Sequence, residues 1–174
     1  MFNLNINNIK AVSLGFFLGV LVSAYLSEYF QFIAIALITS ADSKIIYNYL
    51  LPHNLFTISN TNLVISLSVF LAPQFFLIIV LGLLGIFIKR TLLGFYRYFI
   101  IVFNLFVQGF LLLSVFYNSL ILILSEERNN DFVNLAFCLN IQDNGKIILA
   151  FWIILATVIY LNFTSKKVIK YINY

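Results

Sequence analysis

Four ionisable side chains stand inside or beside long apolar stretches of this sequence: Glu28, Asp42, Lys44 and His53. Ionisable groups at membrane depth mark ion paths, and a charged side chain at the bilayer centre costs on the order of 2.5–3.5 kcal/mol even on the lenient insertion scale. Each of the four also has a milder, interfacial placement. Glu28 would close a first helix in a tight hairpin with Ser27 and Tyr29, Asp42 and Lys44 break the following apolar run, and His53 sits in a polar connection. With one Cys (Cys138) and one His, the chain can build neither an internal disulfide nor a Cys or His metal cluster. Its sequence has no Gly-rich phosphate loop, metalloprotease helix motif or nucleophile elbow. The expectation is therefore no catalytic residue, no metal and no cofactor: a non-enzymatic protein.

The elements that hold these groups are apolar and long. The run from Leu63 to Ile88 carries no charge and is closed by Lys89 and Arg90. As a helix it would reach roughly 39 Å, against about 30 Å of bilayer hydrocarbon. Pro73 lacks an amide proton and belongs near a helix start, which puts the crossing itself from about Phe70 to Ile88. Composition agrees: 63% of residues are hydrophobic and 9% charged, whereas soluble domains carry about 25% charged residues. The net charge of +4 resides mostly at helix ends, where it anchors topology, and does not point to nucleic acid.

Further spans are expected at Ala11–Ser27, Tyr29–Leu51, Phe99–Leu124 and Ile147–Phe163, with Phe132–Leu139 too short to cross. Gly15 and Gly19 have the G-x-x-x-G spacing that lets a neighbouring helix backbone approach. Asn104 and Gln108, four apart, share a face that would turn toward protein. Lys89, Arg90 and Arg97 in one connection, and Lys166, Lys167 and Lys170 near the end, place both segments inside, with Ser125 to Lys146 outside. Five spans would put the N-terminus outside, which Lys10 opposes. A short or re-entrant element between Ile45 and Ser59 restores the parity. The expected fold is all-α, a polytopic membrane protein of five or six transmembrane or re-entrant helices, as a single transmembrane domain over 1–174. The first apolar run is not expected to be a cleaved signal peptide, since Lys10 is its only early charge and no small-residue cleavage site closes it.

The first half resembles the stage II sporulation protein M family. Three pieces carry this: Asn7-Asn8-Ile9-Lys10, the Gly15/Gly19 helix after it, and Leu51-Pro52-His53-Asn54-Leu55-Phe56. In that family an Asn and a basic residue lead into a glycine-bearing first helix, and a Leu-Pro-His-Gly-x-Phe-Glu run precedes a later long helix. Leu51, Pro52, His53 and Phe56 match; Asn54 stands for the Gly and Thr57 for the Glu. The resemblance covers roughly Asn7 to Arg90. It implies a bacterial plasma-membrane component that works with other membrane proteins, an ABC-type exporter or a wall-processing complex, and carries out no chemistry itself.

A second resemblance is to the antiporter-like subunits of respiratory complex I, of the NADH dehydrogenase subunit 2 type. Leu71-Ala72-Pro73-Gln74 before a long aliphatic helix is similar to the Leu-x-Pro-acid openings there, with Gln74 in place of the acid. The intramembrane lysines and glutamate of that family have no counterparts. An abundance of Asn, Ile, Phe, Tyr, Lys and Leu, the mark of AT-rich coding, fits either a low-GC bacterium or an organellar genome. This second reading implies a structural subunit of a proton-pumping complex in the mitochondrial inner membrane.

Overall fold

The computed structural model describes residues 6–39, 43–48, 51–56, 62–90, 94–125 and 130–172. Its first helix is far longer than the sequence leads one to expect. Helix α1 (Ile6–Val20) passes through a π-helical stretch, Leu21–Leu26, straight into α2 (Ser27–Ile38). Val20 and Ser27, on either side of the π-helical turn, both keep right-handed helical backbone. The tight hairpin expected at Ser27–Tyr29 does not form, and Glu28 lies in the first turn of α2. No Gly or Pro occurs between Val20 and Ile38, so nothing local stops the helix; a single acid is insufficient when tertiary partners receive it. The separate spans Ala11–Ser27 and Tyr29–Leu51 are thus one apolar rod, Asn7–Ile38. It ends at Thr39, whose backbone is extended.

Residues Ser43–Asn48 (β1) and Leu51–Phe56 (β2) then form an antiparallel hairpin, with Ile45 opposite Asn54, Ile46 opposite His53 and Tyr47 opposite Pro52. This hairpin takes the place of the re-entrant element expected between Ile45 and Ser59. The local reasons are readable: Pro52 drives Leu51 toward extended backbone, and a proline's missing donor is tolerated only on an edge strand. Asp42, Thr57 and Ser59 lie outside the described residues.

Asn62 caps α3 (Leu63–Phe70) by accepting a hydrogen bond from the Val64 amide. Pro73 falls in the first turn of α4 (Ala72–Arg90), and the two helices meet at a 64° bend. Gly94, with a φ of +74° that favours glycine, opens α5 (Phe95–Leu124). The short α6 (Asp131–Cys138) is capped by Asn130 and packs Phe132, Val133, Leu135 and Ala136 inward. Helix α7 (Asp143–Ile172) completes the fold.

Among the described residues three helices are long and apolar enough to cross a membrane, or four if the bent α3–α4 pair counts as one crossing; the expected five or six are not all found there. Their directions follow from side-chain pairings. Gly15 lies against Phe99, Val102 and Phe103, and Gly19 one turn on lies against Phe106, so α1 and α5 run parallel. Ser165 near the end of α7 bonds Gln108 in the first half of α5, so these two are antiparallel. Tyr160 of α7 donates to the Ile78 carbonyl of α4, and Ile86 and Val168 further along line one cavity. The start of α1, the end of α4, the start of α5 and the end of α7 therefore share one end of the bundle, here the basic end. Helix α5 is the hub: its buried stripe runs Ile100, Asn104, Val107, Gln108, Leu111, Val115, Ser119 and Leu122 at helical spacing.

Candidate functional site: a buried amide junction at the acidic end

Glu28 and Gln31, three apart on α2, occupy neighbouring positions on one helical surface. Asn54 of β2 reaches them. Its amide nitrogen donates to the Glu28 carbonyl at 2.7 Å, to the Glu28 carboxylate Oε2 at 3.1 Å and to Gln31 Oε1 at 2.8 Å. Gln31 Nε2 donates in turn to the Val69 carbonyl at 3.3 Å, and the Gln31 side chain also hydrogen-bonds Asp131. One side chain, 1% exposed, thus ties together α2, β2, α3 and α6.

The Val69 carbonyl is available for a reason written in the sequence. In a continuous helix its acceptor would be used by the amide four residues later, and that residue is Pro73, which has no N–H. A buried acceptor left without a donor costs about 1–3 kcal/mol. Gln31 supplies a donor across 38 residues of chain, beside the Leu71 amide that also reaches this carbonyl.

The junction is rich in acceptors. Glu28 and Asp131 are near enough to feel each other's charge. Asp131, half-buried on the surface of α6 but crowded by its surroundings, has its carboxyl pushed up to about 7 by burial, against the opposing pull of the Gln31 hydrogen bond. The Asn54 amide oxygen is buried and has no partner among the described residues. Close by, Asn118 of α5 accepts from Asn130 Nδ2 at 2.7 Å, while Asn130 Oδ1 receives the Phe132 amide at 2.9 Å. This pins the start of α6 to α5. Such an arrangement orders the hairpin and α6 against the bundle; among the described residues no three metal-ligating side chains come together.

At the other end the polar side chains bond to one another. Gln108 Nε2 donates to Asn104 Oδ1 at 2.6 Å, and Ser165 Oγ donates to Gln108 Oε1 at 2.7 Å. Asn104 and Gln108 are both buried, on the face their four-residue spacing selects. Beside them a cavity of about 660 Å³ opens between α4, α5 and α7.

Of the residues singled out in the sequence, the structure brings Glu28 and Asn54 together and sets Gly15 and Gly19 against α5. Leu51, Pro52, His53 and Phe56 are positions of β2, and Lys44 stands opposite Leu55 in the ladder. Gln31 and Asp131, which complete the junction, were not legible. Gln31 did carry a signal, as the single side-chain amide in the apolar run from Tyr29 to Ile38. Comparison of the chain with family models, with curated proteins and with solved structures gives no match.

Proposed function

We propose that this chain is an integral membrane protein of four crossings, a non-catalytic component that works through a protein partner docked at its β1–β2 hairpin. The partner is an ABC-type exporter or a wall-processing complex in a bacterial plasma membrane, the class that the stage II sporulation protein M resemblance implies. Four crossings return the C-terminus to the side of the N-terminus, which removes the conflict that Lys10 raises for five. Lys10, Lys89, Arg90, Arg97, Lys166, Lys167 and Lys170 all belong to the basic end, so that end is cytoplasmic by the positive-inside rule.

The observation that carries the partner reading is the hairpin itself. An isolated two-stranded hairpin is marginal in water, yet this one is anchored through Asn54 to a buried junction. Among the described residues its sheet has two strands, so both are edges, and an unpaired edge is a template for an extended segment of another protein. Pro52 blunts one position of β2 and leaves the β1 edge free of proline.

The test is site-specific photo-crosslinking in native membranes. A probe at Ile46 of β1 should give an adduct with an exporter subunit or a wall hydrolase, and Asn54→Ala should weaken it. A probe at Phe151, an exposed apolar position on α7, should give none. An adduct with a respiratory subunit would transfer the chain to the complex I reading. Proton flux by the purified chain in liposomes, abolished by Glu28→Gln, would show a transporter and sink the proposal. Orientation is read separately in a Cys138→Ala background: Asn144→Cys should label from outside, and Lys166→Cys should not.

A further inference from the structure

The cavity between α4, α5 and α7 lies toward the basic end and is lined almost wholly by apolar atoms. Gly82 and Gly85 form part of its α4 wall, and a Cβ added at either would meet nothing within 4 Å. The helices are therefore held apart here, in contrast to the α1–α5 contact. Three polar side chains reach the wall, and each has a hydrogen bond within the protein. Asn104 accepts from Gln108, the Tyr160 hydroxyl donates to the Ile78 carbonyl, and the Thr164 hydroxyl bonds back to its own helix at Tyr160 and Leu161. The walls thus offer hydrocarbon contact rather than recognition of a polar solute. A volume of about 660 Å³ falls within the roughly 300–1,000 Å³ of ligand-sized sites.

The charge at the end of this cleft identifies its occupant. Lys89 and Arg90 close α4, Arg97 falls in the first turn of α5, and Lys166, Lys167 and Lys170 occupy the last turns of α7. The three helices that wall the cavity thus contribute six cations to one end. No acid occurs from Leu63 to Leu124 or from Ile147 to Tyr174. Basic positions beside a cleft between membrane helices suit a lipid phosphate, with the acyl chain lying along the apolar wall below it.

We infer that the α4–α5–α7 cleft is a binding site for one anionic phospholipid of the cytoplasmic leaflet, its acyl chain against Gly82 and Gly85 and its phosphate at the basic end to which α4, α5 and α7 contribute. The inference uses the membrane orientation above and is independent of any protein partner.

The test is native mass spectrometry of the full chain released from nanodiscs that contain equal phosphatidylglycerol and phosphatidylcholine with identical acyl chains. The expected result is one retained phosphatidylglycerol per chain, with about tenfold less phosphatidylcholine. Gly82→Leu with Gly85→Leu fills the cleft and should abolish retention while the melting temperature holds. Should that variant be destabilised, Ile159→Trp narrows the cleft from α7 and should abolish retention instead. Changing Lys166, Lys167 and Lys170 together to Gln should leave a lipid bound but bring the two headgroups to parity. Equal retention of both lipids by the native chain would overturn the inference, as would retention that neither cleft-filling variant reduces. So would a native dimer that the glycine variants convert to monomer, because a second copy would then fill the cleft.

Discussion

Two glycine pairs in this protein sit in equally apolar helices and meet opposite fates. At Gly15 an added Cβ would come within 2.8 Å of the Phe99 carbonyl oxygen, and at Gly19 within 2.6 Å of the Phe106 ring. At Gly82 and Gly85 it would meet empty space. Small residues without a Cβ permit close approach; they do not dictate what approaches. On α1 the facing element is α5, whose aromatic side chains enter the space, with Phe16 adding an edge-to-face contact to Phe106 at 4.9 Å between centroids. On α4 the facing helix α7 is joined through the long Tyr160 side chain to Ile78 and through Ser165 to Gln108 of α5, and no side chain fills the space at Gly82 and Gly85. One pair therefore makes a seam and the other a cleft.

The largest expected effect falls on the seam. Gly15→Leu with Gly19→Leu overpacks one contact with the α5 backbone and one with the Phe106 side chain, each worth about 1–3 kcal/mol by the usual cost of inserting bulk into packed interiors. The melting temperature in detergent should fall well below that of the native chain while helical circular dichroism persists. The same double change at Gly82 and Gly85 should leave melting nearly unmoved. If both pairs behave alike, the distinction between seam and cleft is lost.

A second experiment asks whether the acidic end is held as tightly as the seam. Gln31→Leu leaves the Val69 carbonyl with the Leu71 amide alone and removes one of the Asn54 amide's acceptors, for about 1–3 kcal/mol of stability. Pro73→Ala restores an amide proton four residues after Val69, so in the Gln31→Leu chain it should recover part of the loss. The coupling in that double-mutant cycle measures the cross-chain bond directly. No coupling would mean that Gln31 and Pro73 act independently.

A third effect concerns Asp131 and depends on pH. Its folded carboxyl, at about 7, lies above the ordinary aspartate value of 3.8, so between those limits the folded state binds more protons than the unfolded one. Stability contributed by this group is present at low pH and declines as pH rises from about 4 to about 7. Melting midpoints followed across that window should slope downward in the native chain, and Asp131→Asn should reduce the slope. A slope unchanged by the substitution would assign the titration to another group.

The local features of this chain are legible because they depend on the nearest few residues. Uncharged runs, the helix start at Pro73, the extended backbone forced on Leu51 by Pro52 and the inward face of Asn104 and Gln108 all follow from backbone chemistry and helical spacing. Glu28 shows where that reasoning ends. Taken with its neighbours alone, an acid in an apolar run argues for a break, because nothing within a few residues can receive it. The structure keeps the helix whole because Asn54 arrives from the hairpin and donates to the Glu28 carbonyl and carboxylate. The helix count, the hairpin and the acidic junction were thus decided by long-range hydrogen bonds between residues tens of positions apart. Such bonds form only once packing has excluded the water that would otherwise satisfy each group, and no local pattern records which of them will meet.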